Sequence, residues 1–145
     1  AVTAYLRVIG DQVTRLDRRE PEVNIFAPGA PRDTTSPEAM LHAWEAMLLG
    51  SGLEAASRAQ LAEWMRHGGV TGNLLRPSVP EGWLVLDKSG GGRTHTRNLV
   101  AMVTPPDRSP YLVAIFVSDP PAGWDDRNAA VAEIGAAVVE VLKAR

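Results

Sequence analysis

The spacing of apolar positions changes along the chain. Val2, Tyr5, Leu6, Ile9, Val13 and Leu16 recur at helical intervals, so a helix is expected to open the sequence. Pro21, Pro28, Pro31 and Pro37 then interrupt the stretch from Arg18 to Pro37, and each removes a backbone donor. A connection this long without regular structure is uncommon. Asn24, Ile25 and Phe26 in its middle point to a packed surface loop rather than a polar tail. Ser36 and Pro37 read as the N-cap and first residue of a second helix. Its apolar stripe is Met40, Leu41, Trp44, Met47 and Leu48, and Gly50 ends it. Ser57 is expected to cap a third, short helix that puts Leu61, Trp64 and Met65 in the core and stops at Gly68 and Gly69.

From Trp83 the pattern becomes that of strands. Trp83 to Ser89 leads into the glycines Gly90, Gly91 and Gly92; Arg97 to Thr104 supplies a second strand, and Pro105, Pro106 and Asp107 a turn. A third strand runs from Tyr111 to Ser118, and its unbroken apolar run predicts that both faces are covered. Asp125 is expected to cap a last helix with Val131, Ile134, Val138, Val141 and Leu142 on one stripe. The fold class is therefore α/β of the α+β type: helices, a three-stranded antiparallel sheet, and a C-terminal helix packed on it.

Composition removes several functions. The 145 residues contain no cysteine, which excludes thiol nucleophiles, thiolate metal sites and disulfides. A net charge of −2 argues against a general nucleic-acid surface. No apolar run approaches the roughly 18 residues of a membrane span. His42, His67 and His95 have no partner at metal-ligand spacing, so neither metal nor cofactor is expected and they read as surface or structural residues. No serine is followed three residues later by lysine, and no G-x-S-x-G elbow is present.

Two segments remain. Glu20 and Asn24 open the proline-rich loop, where a carboxylate and an amide could jointly hold a water; a charge run in a loop can equally be only solvated. Asp87-Lys88-Ser89-Gly90-Gly91-Gly92 ends a strand and Arg97 follows. A cation beside an unobstructed backbone suits an anionic ligand along the strand edge, and a flexible hairpin turn would look the same.

Taken together, Glu20-x-x-x-Asn24 and the distant Lys88-Ser89-Gly90 resemble the C-terminal half of the class A serine β-lactamases. The likeness runs over all 145 residues and includes Val13-Thr14-Arg15-Leu16-Asp17-Arg18, Arg32-Asp33-Thr34-Thr35 and Ala132-Glu133-Ile134-Gly135. It implies the β-lactamase/transpeptidase-like fold. Residues 1–76 would end the helical subdomain, with an Ω-loop from about Arg15 to Asp33, and residues 77–145 would complete the α/β subdomain. By this resemblance Glu20 would be the base that activates the deacylating water and Asn24 would hold that water. Arg18 and Asp33 would close the loop's neck, and the Glu20–Pro21 bond would be cis. Lys88 would supply positive potential. Ser89, Gly90, Gly91, Gly92 and Arg97 would bind substrate, with the Gly91 N–H in the oxyanion hole. Asn128 would orient Arg97, and Arg76 and Asp87 would pair beneath the strand.

The sequence departs from the family pattern in places. The strand motif reads Lys-Ser-Gly rather than Lys-Thr-Gly. Gly92 stands where some carbapenem-hydrolysing relatives carry cysteine, and Arg93 could favour substrates with an anionic side chain. The Ser-x-x-Lys and Ser-Asp-Asn segments of the family precede the Ω-loop and are not in this sequence. The resemblance thus implies a β-lactam substrate and a complementary N-terminal half as partner, without which the chain is expected to be inactive and the strand Tyr111 to Ser118 to show an open edge. A periplasmic or secreted location follows from the family alone. A non-hydrolytic β-lactam-binding or penicillin-binding module is the alternative, and it would have no use for Glu20 and Asn24.

Overall fold

The computed structural model describes residues 1–25, 29–92, 96–118 and 122–145, and the chain divides into two compact units, Ala1–Leu61 and Ala62–Arg145. In the first unit α1 spans Val2–Val8. Gly10 stops it: φ is 96°, in the left-handed region that glycine enters freely. The Gly10 and Asp11 N–H groups then turn back to the Arg7 and Leu6 carbonyls, at 3.3 and 2.9 Å. The helical period expected to reach Val13 and Leu16 therefore ends early, and both side chains are exposed.

The second helix begins where the sequence says. Ser36 Oγ accepts the Ala39 N–H at 3.1 Å and Pro37 takes the first position of α2 (Pro37–Trp44). It continues as a π-helical turn, Glu45–Leu49. Ala39, Ala43, Trp44 and Leu48 are buried, whereas Met40, Leu41 and Met47 are only half-buried. In α3 (Ala55–Arg66) Ser57 is an interior residue rather than the cap, because the Arg58 N–H already bonds the Glu54 carbonyl at 2.9 Å. Met65 is buried and its neighbour Trp64, expected in the core, is 70% exposed; successive helical residues point about 100° apart, and the packed face of α3 takes in Met65 but not Trp64.

The second unit is built on a sheet of β1 (Leu84–Gly91), β2 (Thr96–Thr104) and β3 (Tyr111–Ser118), antiparallel in the order β1-β2-β3. The register pairs Gly91 with Arg97, Ser89 with Leu99 and Lys88 with Val100. Helix α4 (Trp124–Lys143) packs on one face. The core there joins Leu74, Leu75, Leu99, Ala101, Val103, Val113, Ile115, Val131, Val139 and Leu142. Val113 and Ile115 of β3 are buried while Leu112, Ala114 and Phe116 are half-buried, so the expectation of two covered faces is corrected. β3 is a sheet edge with only β2 beside it among the described residues.

The buried face of α4 also differs from the expected stripe. Val131 and Leu142 are buried as expected and Val138 packs against the core, but Ile134 and Val141 are exposed, and Arg127, Gly135 and Val139 complete the buried face. Gly135 sets this rotation: a Cβ there would lie 3.0 Å from Leu75 Cδ1, so the helix approaches along its smallest residue. The helix is capped by Gly123, whose N–H reaches Asp126 Oδ2 at 3.3 Å; Asp125 lies inside the first turn. No helix among the described residues is long and apolar enough to cross a membrane.

Candidate active site

In the first unit the proline-rich segment is a loop whose two ends are tied together. The Arg15 N–H donates to the Thr34 carbonyl at 3.0 Å, and the Thr14 and Thr35 hydroxyls lie 2.6 Å apart. Asp33, at φ 56°, is the hub of the neck. Its Oδ1 accepts the Asp17 and Arg18 N–H groups at 2.7 and 3.0 Å, and its Oδ2 meets Arg18 Nε at 2.5 Å. The Arg18 backbone N–H, and after it the Arg18 guanidinium, hold the Asp33 carboxyl down at a pKa of about 2. Arg18 also donates to the Ile25 carbonyl at 3.1 Å, which draws the loop's interior toward its neck.

Within the loop the Glu20–Pro21 peptide is cis and Glu22–Asn24 form a turn of 3₁₀ helix. That turn brings Asn24 back over Glu20, and its Nδ2 donates to Glu20 Oε2. Both side chains are exposed. The pair presents an acceptor and an amide side by side, the combination that can hold a water and take its proton.

In the second unit β1 is a sheet edge, so every second peptide group points away from β2. Asp87 is buried below the end of the strand. Arg76 grips it with two bonds, Nε to Oδ2 at 3.0 Å and Nη2 to Oδ1 at 2.9 Å, and Thr71 Oγ1 adds a third at 2.8 Å. Gly68 makes room for Arg76: its φ is 70°, and a Cβ there would fall 2.6 Å from Arg76 Nε. Lys88 is exposed and donates to the Ser89 carbonyl at 2.5 Å. Pairing with Leu99 and Gly91 puts Ser89 and Arg97 on the face that α4 covers, and Lys88 on the other.

Arg97 is only 3% exposed and has no carboxylate within ion-pair reach among the described residues. Its Nε donates to Asn128 Oδ1 at 2.6 Å and its Nη1 to the Gly90 carbonyl at 3.3 Å. Burial, and after it repulsion from Arg127, lowers its pKa below the ordinary arginine value. A buried cation whose near partners are an amide and a carbonyl is suited to an incoming anion.

Comparison with known proteins settles the family. The profile of the Beta-lactamase enzyme family matches residues 1–142. The chain is 52% identical over 143 residues to a β-lactamase of Rhodobacter capsulatus, covering 99% of this chain and 48% of that protein. It is 43% identical over 139 residues to β-lactamase AER-1 of Aeromonas hydrophila, covering 96% and 46%. Among solved structures, a β-lactamase from Xanthomonas campestris superposes with a TM-score of 0.92 at 41% identity, over 97% of this chain and 53% of that one. An ancestral class A β-lactamase gives 0.91 at 46% identity, over 97% and 54%. The chain belongs to the class A β-lactamases. It spans about half the length of the relatives it matches.

Thr71, Trp124 and Arg127 stand beside Asp87 and Arg97 although no motif marks them. Thr71 completes the shell around Asp87. Trp124 opens α4, and its ring lies 4.6 Å from the Arg97 guanidinium. Arg127, buried, donates to the Gly92, Thr96 and Gly123 carbonyls at 3.1, 2.9 and 3.2 Å. None sits in a recognisable motif; the one available signal was the run of polar residues, Asp125 to Asn128, that precedes the apolar part of α4. Among the histidines, His42 and His67 are exposed, His67 lies 3.0 Å from Glu63, and no group of His, Asp and Glu that could hold a metal occurs among the described residues. Arg93 and His95 lie outside the described residues.

Proposed function

We propose that the chain serves β-lactam hydrolysis through an acyl-serine intermediate, supplying the deacylation base and the Lys-Ser-Gly recognition strand. The observation that carries this is the Asn24–Glu20 contact on the tied loop. Glu20 takes a proton from a water that Asn24 orients, and the water oxygen bonds to the acyl carbonyl carbon. The ester C–O bond then breaks, and the departing serine oxygen receives a proton as the penicilloate-type acid leaves. Gly91 donates its N–H to the oxyanion; loss of one such donor lowers rates about 10²–10³-fold. Ser89, Gly90, Gly92 and Arg97 bind the substrate carboxylate end, and Lys88 adds positive potential. Arg18 with Asp33 and Arg76 with Asp87 hold the two elements in shape, and Asn128 orients Arg97.

The serine nucleophile is not in this sequence, where no Ser-x-x-Lys occurs. It belongs to a complementary N-terminal half that acts with this chain, and residues 1–145 alone are inactive toward β-lactams. The family's usual setting makes the periplasm or the exterior the working compartment.

The test is Glu20→Ala in the full-length protein, followed by intact mass after mixing with a β-lactam. The expected result is a persistent adduct of drug mass, because acylation proceeds and deacylation stalls. Turnover at the unmodified rate would overturn the assignment. If the parent protein itself held the adduct, it would be a non-hydrolytic binding module.

A further inference from the structure

Trp124 has no place in the reaction just described, yet three independent contacts converge on its ring. Arg97 lies over it at 4.6 Å and Arg127 at 5.3 Å from the ring centre. Gly91 lies beneath it: a Cβ on Gly91 would fall 2.8 Å from Trp124 Cη2 and Cζ3, so only glycine lets the ring lie against the strand. Gly91 and Arg97 are cross-strand partners, so the ring covers one pair of the β1–β2 ladder at the site.

Arg97 and Arg127 repel each other, and Arg97 is buried. Asn128 fixes its Nε side, and its other partner among the described residues, the Gly90 carbonyl, is 3.3 Å from Nη1. The negative face of the indole offsets part of the Arg97 charge without consuming its N–H donors, because a cation–π contact is made through the guanidinium plane. The in-plane donors are left for a planar anion, which a salt bridge to a carboxylate would have occupied.

We infer that Trp124 is a positioning residue for Arg97: its ring fixes the plane of the guanidinium so that the in-plane N–H groups meet a substrate carboxylate. This rests on the reading of Arg97 as the carboxylate anchor. The ring acts on binding of that carboxylate and takes no part in bond making.

The test is a series in the full-length enzyme, Trp124→Tyr, Trp124→Phe and Trp124→Leu, assayed with a β-lactam and with the same compound masked as its carboxylate ester. KM for the acid is expected to rise in that order, about 3- to 10-fold at leucine, with kcat within about twofold and KM for the ester unmoved. Phenylalanine should recover part of the loss, and if the leucine variant fails to fold, the tyrosine and phenylalanine variants carry the same ordering. A flat series, a fall in kcat at constant KM, or equal losses for acid and ester would each overturn the role. Arg97→Ala separates the two levels. If it leaves the acid-to-ester preference intact, the anchor reading falls and Trp124 with it; if it abolishes that preference while the Trp124 series stays flat, only the role of Trp124 falls.

Discussion

Asn128 Oδ1 lies 2.6 Å from Arg97 Nε, a contact between the second turn of α4 and the start of β2. An amide oxygen satisfies one donor of a buried guanidinium without cancelling its charge, so the cation stays available. Hydrogen bonds to charged groups contribute about 1.5–3 kcal/mol each.

Asn128→Ala should therefore weaken carboxylate binding rather than chemistry. In the full-length enzyme KM for a carboxylated β-lactam is expected to rise about 10-fold, and kcat to change much less. Steady-state kinetics decide it, and an unchanged KM would show that Arg97 holds its pose without the amide.

The loop neck should be sensitive to acid. Asp33 has its carboxyl pKa lowered to about 2 from 3.8, chiefly by the Arg18 backbone N–H and then by the Arg18 side chain. A carboxyl with a depressed folded-state pKa stabilises in its ionised form, so its contribution is complete above about pH 4 and is lost as the pH falls toward 2. The protection of the loop-neck amides Arg15, Asp17, Arg18 and Asp33, corrected for the intrinsic pH dependence of exchange, should fall over that window, and Asp33→Asn should show the lower protection already at neutral pH. Protection factors at these amides unchanged between about pH 5 and 2 would contradict this.

The Arg76–Asp87 pair should behave asymmetrically. The Asp87 side chain is wholly buried, whereas that of Arg76 keeps 25% of its surface. Arg76→Ala strands a buried carboxylate and is expected to lower unfolding free energy by about 3–5 kcal/mol. Asp87→Asn leaves an arginine that can turn to solvent and keeps the Thr71 contact, so it should lower stability less. Denaturant unfolding of the two variants in the full-length protein checks the order.

The strands and the α2 cap were legible because each is a local rule. β3 was placed at its observed ends by an apolar run between a proline turn and Ser118, and Ser36-Pro37 by N-cap chemistry. What was not legible depends on partners distant in sequence. Which part of the apolar period of α4 faces the core depends on Gly135, because its contact is Leu75, sixty residues earlier. Trp64 looked like core and Val13 like helix, since periodicity does not say which face finds a neighbour or where a glycine breaks the run. Among the candidate residues, Glu20 and Asn24 in the first unit and the Lys-Ser-Gly strand in the second stand out by residue type and spacing. Asn128 beside Arg97 and Asp33 beside Arg18 came only from likeness to a family. Trp124 came from neither, because one aromatic residue at a helix start carries no periodic signal.

Gly135 offers the sharpest test of how α4 is seated. Glycine within a helix is worth about 1 kcal/mol less than alanine, so a purely local view makes any larger residue here stabilising. The packing says otherwise. A Cβ would stand 3.0 Å from Leu75 Cδ1, and Leu75 is fully buried among Leu74, Val131 and Val139 with little room to yield. Gly135→Ala adds one methyl, and its helical gain should be largely offset by that contact. Gly135→Val adds two more carbons and a β-branch, and should destabilise by about 1–3 kcal/mol through overpacking. A paired Leu75→Ala substitution should relieve part of the valine penalty, a coupling that independent sites would not show. Denaturant unfolding of these variants and of Leu75→Ala alone measures it, and a valine variant as stable as the parent would mean that α4 does not pack against Leu75 along Gly135.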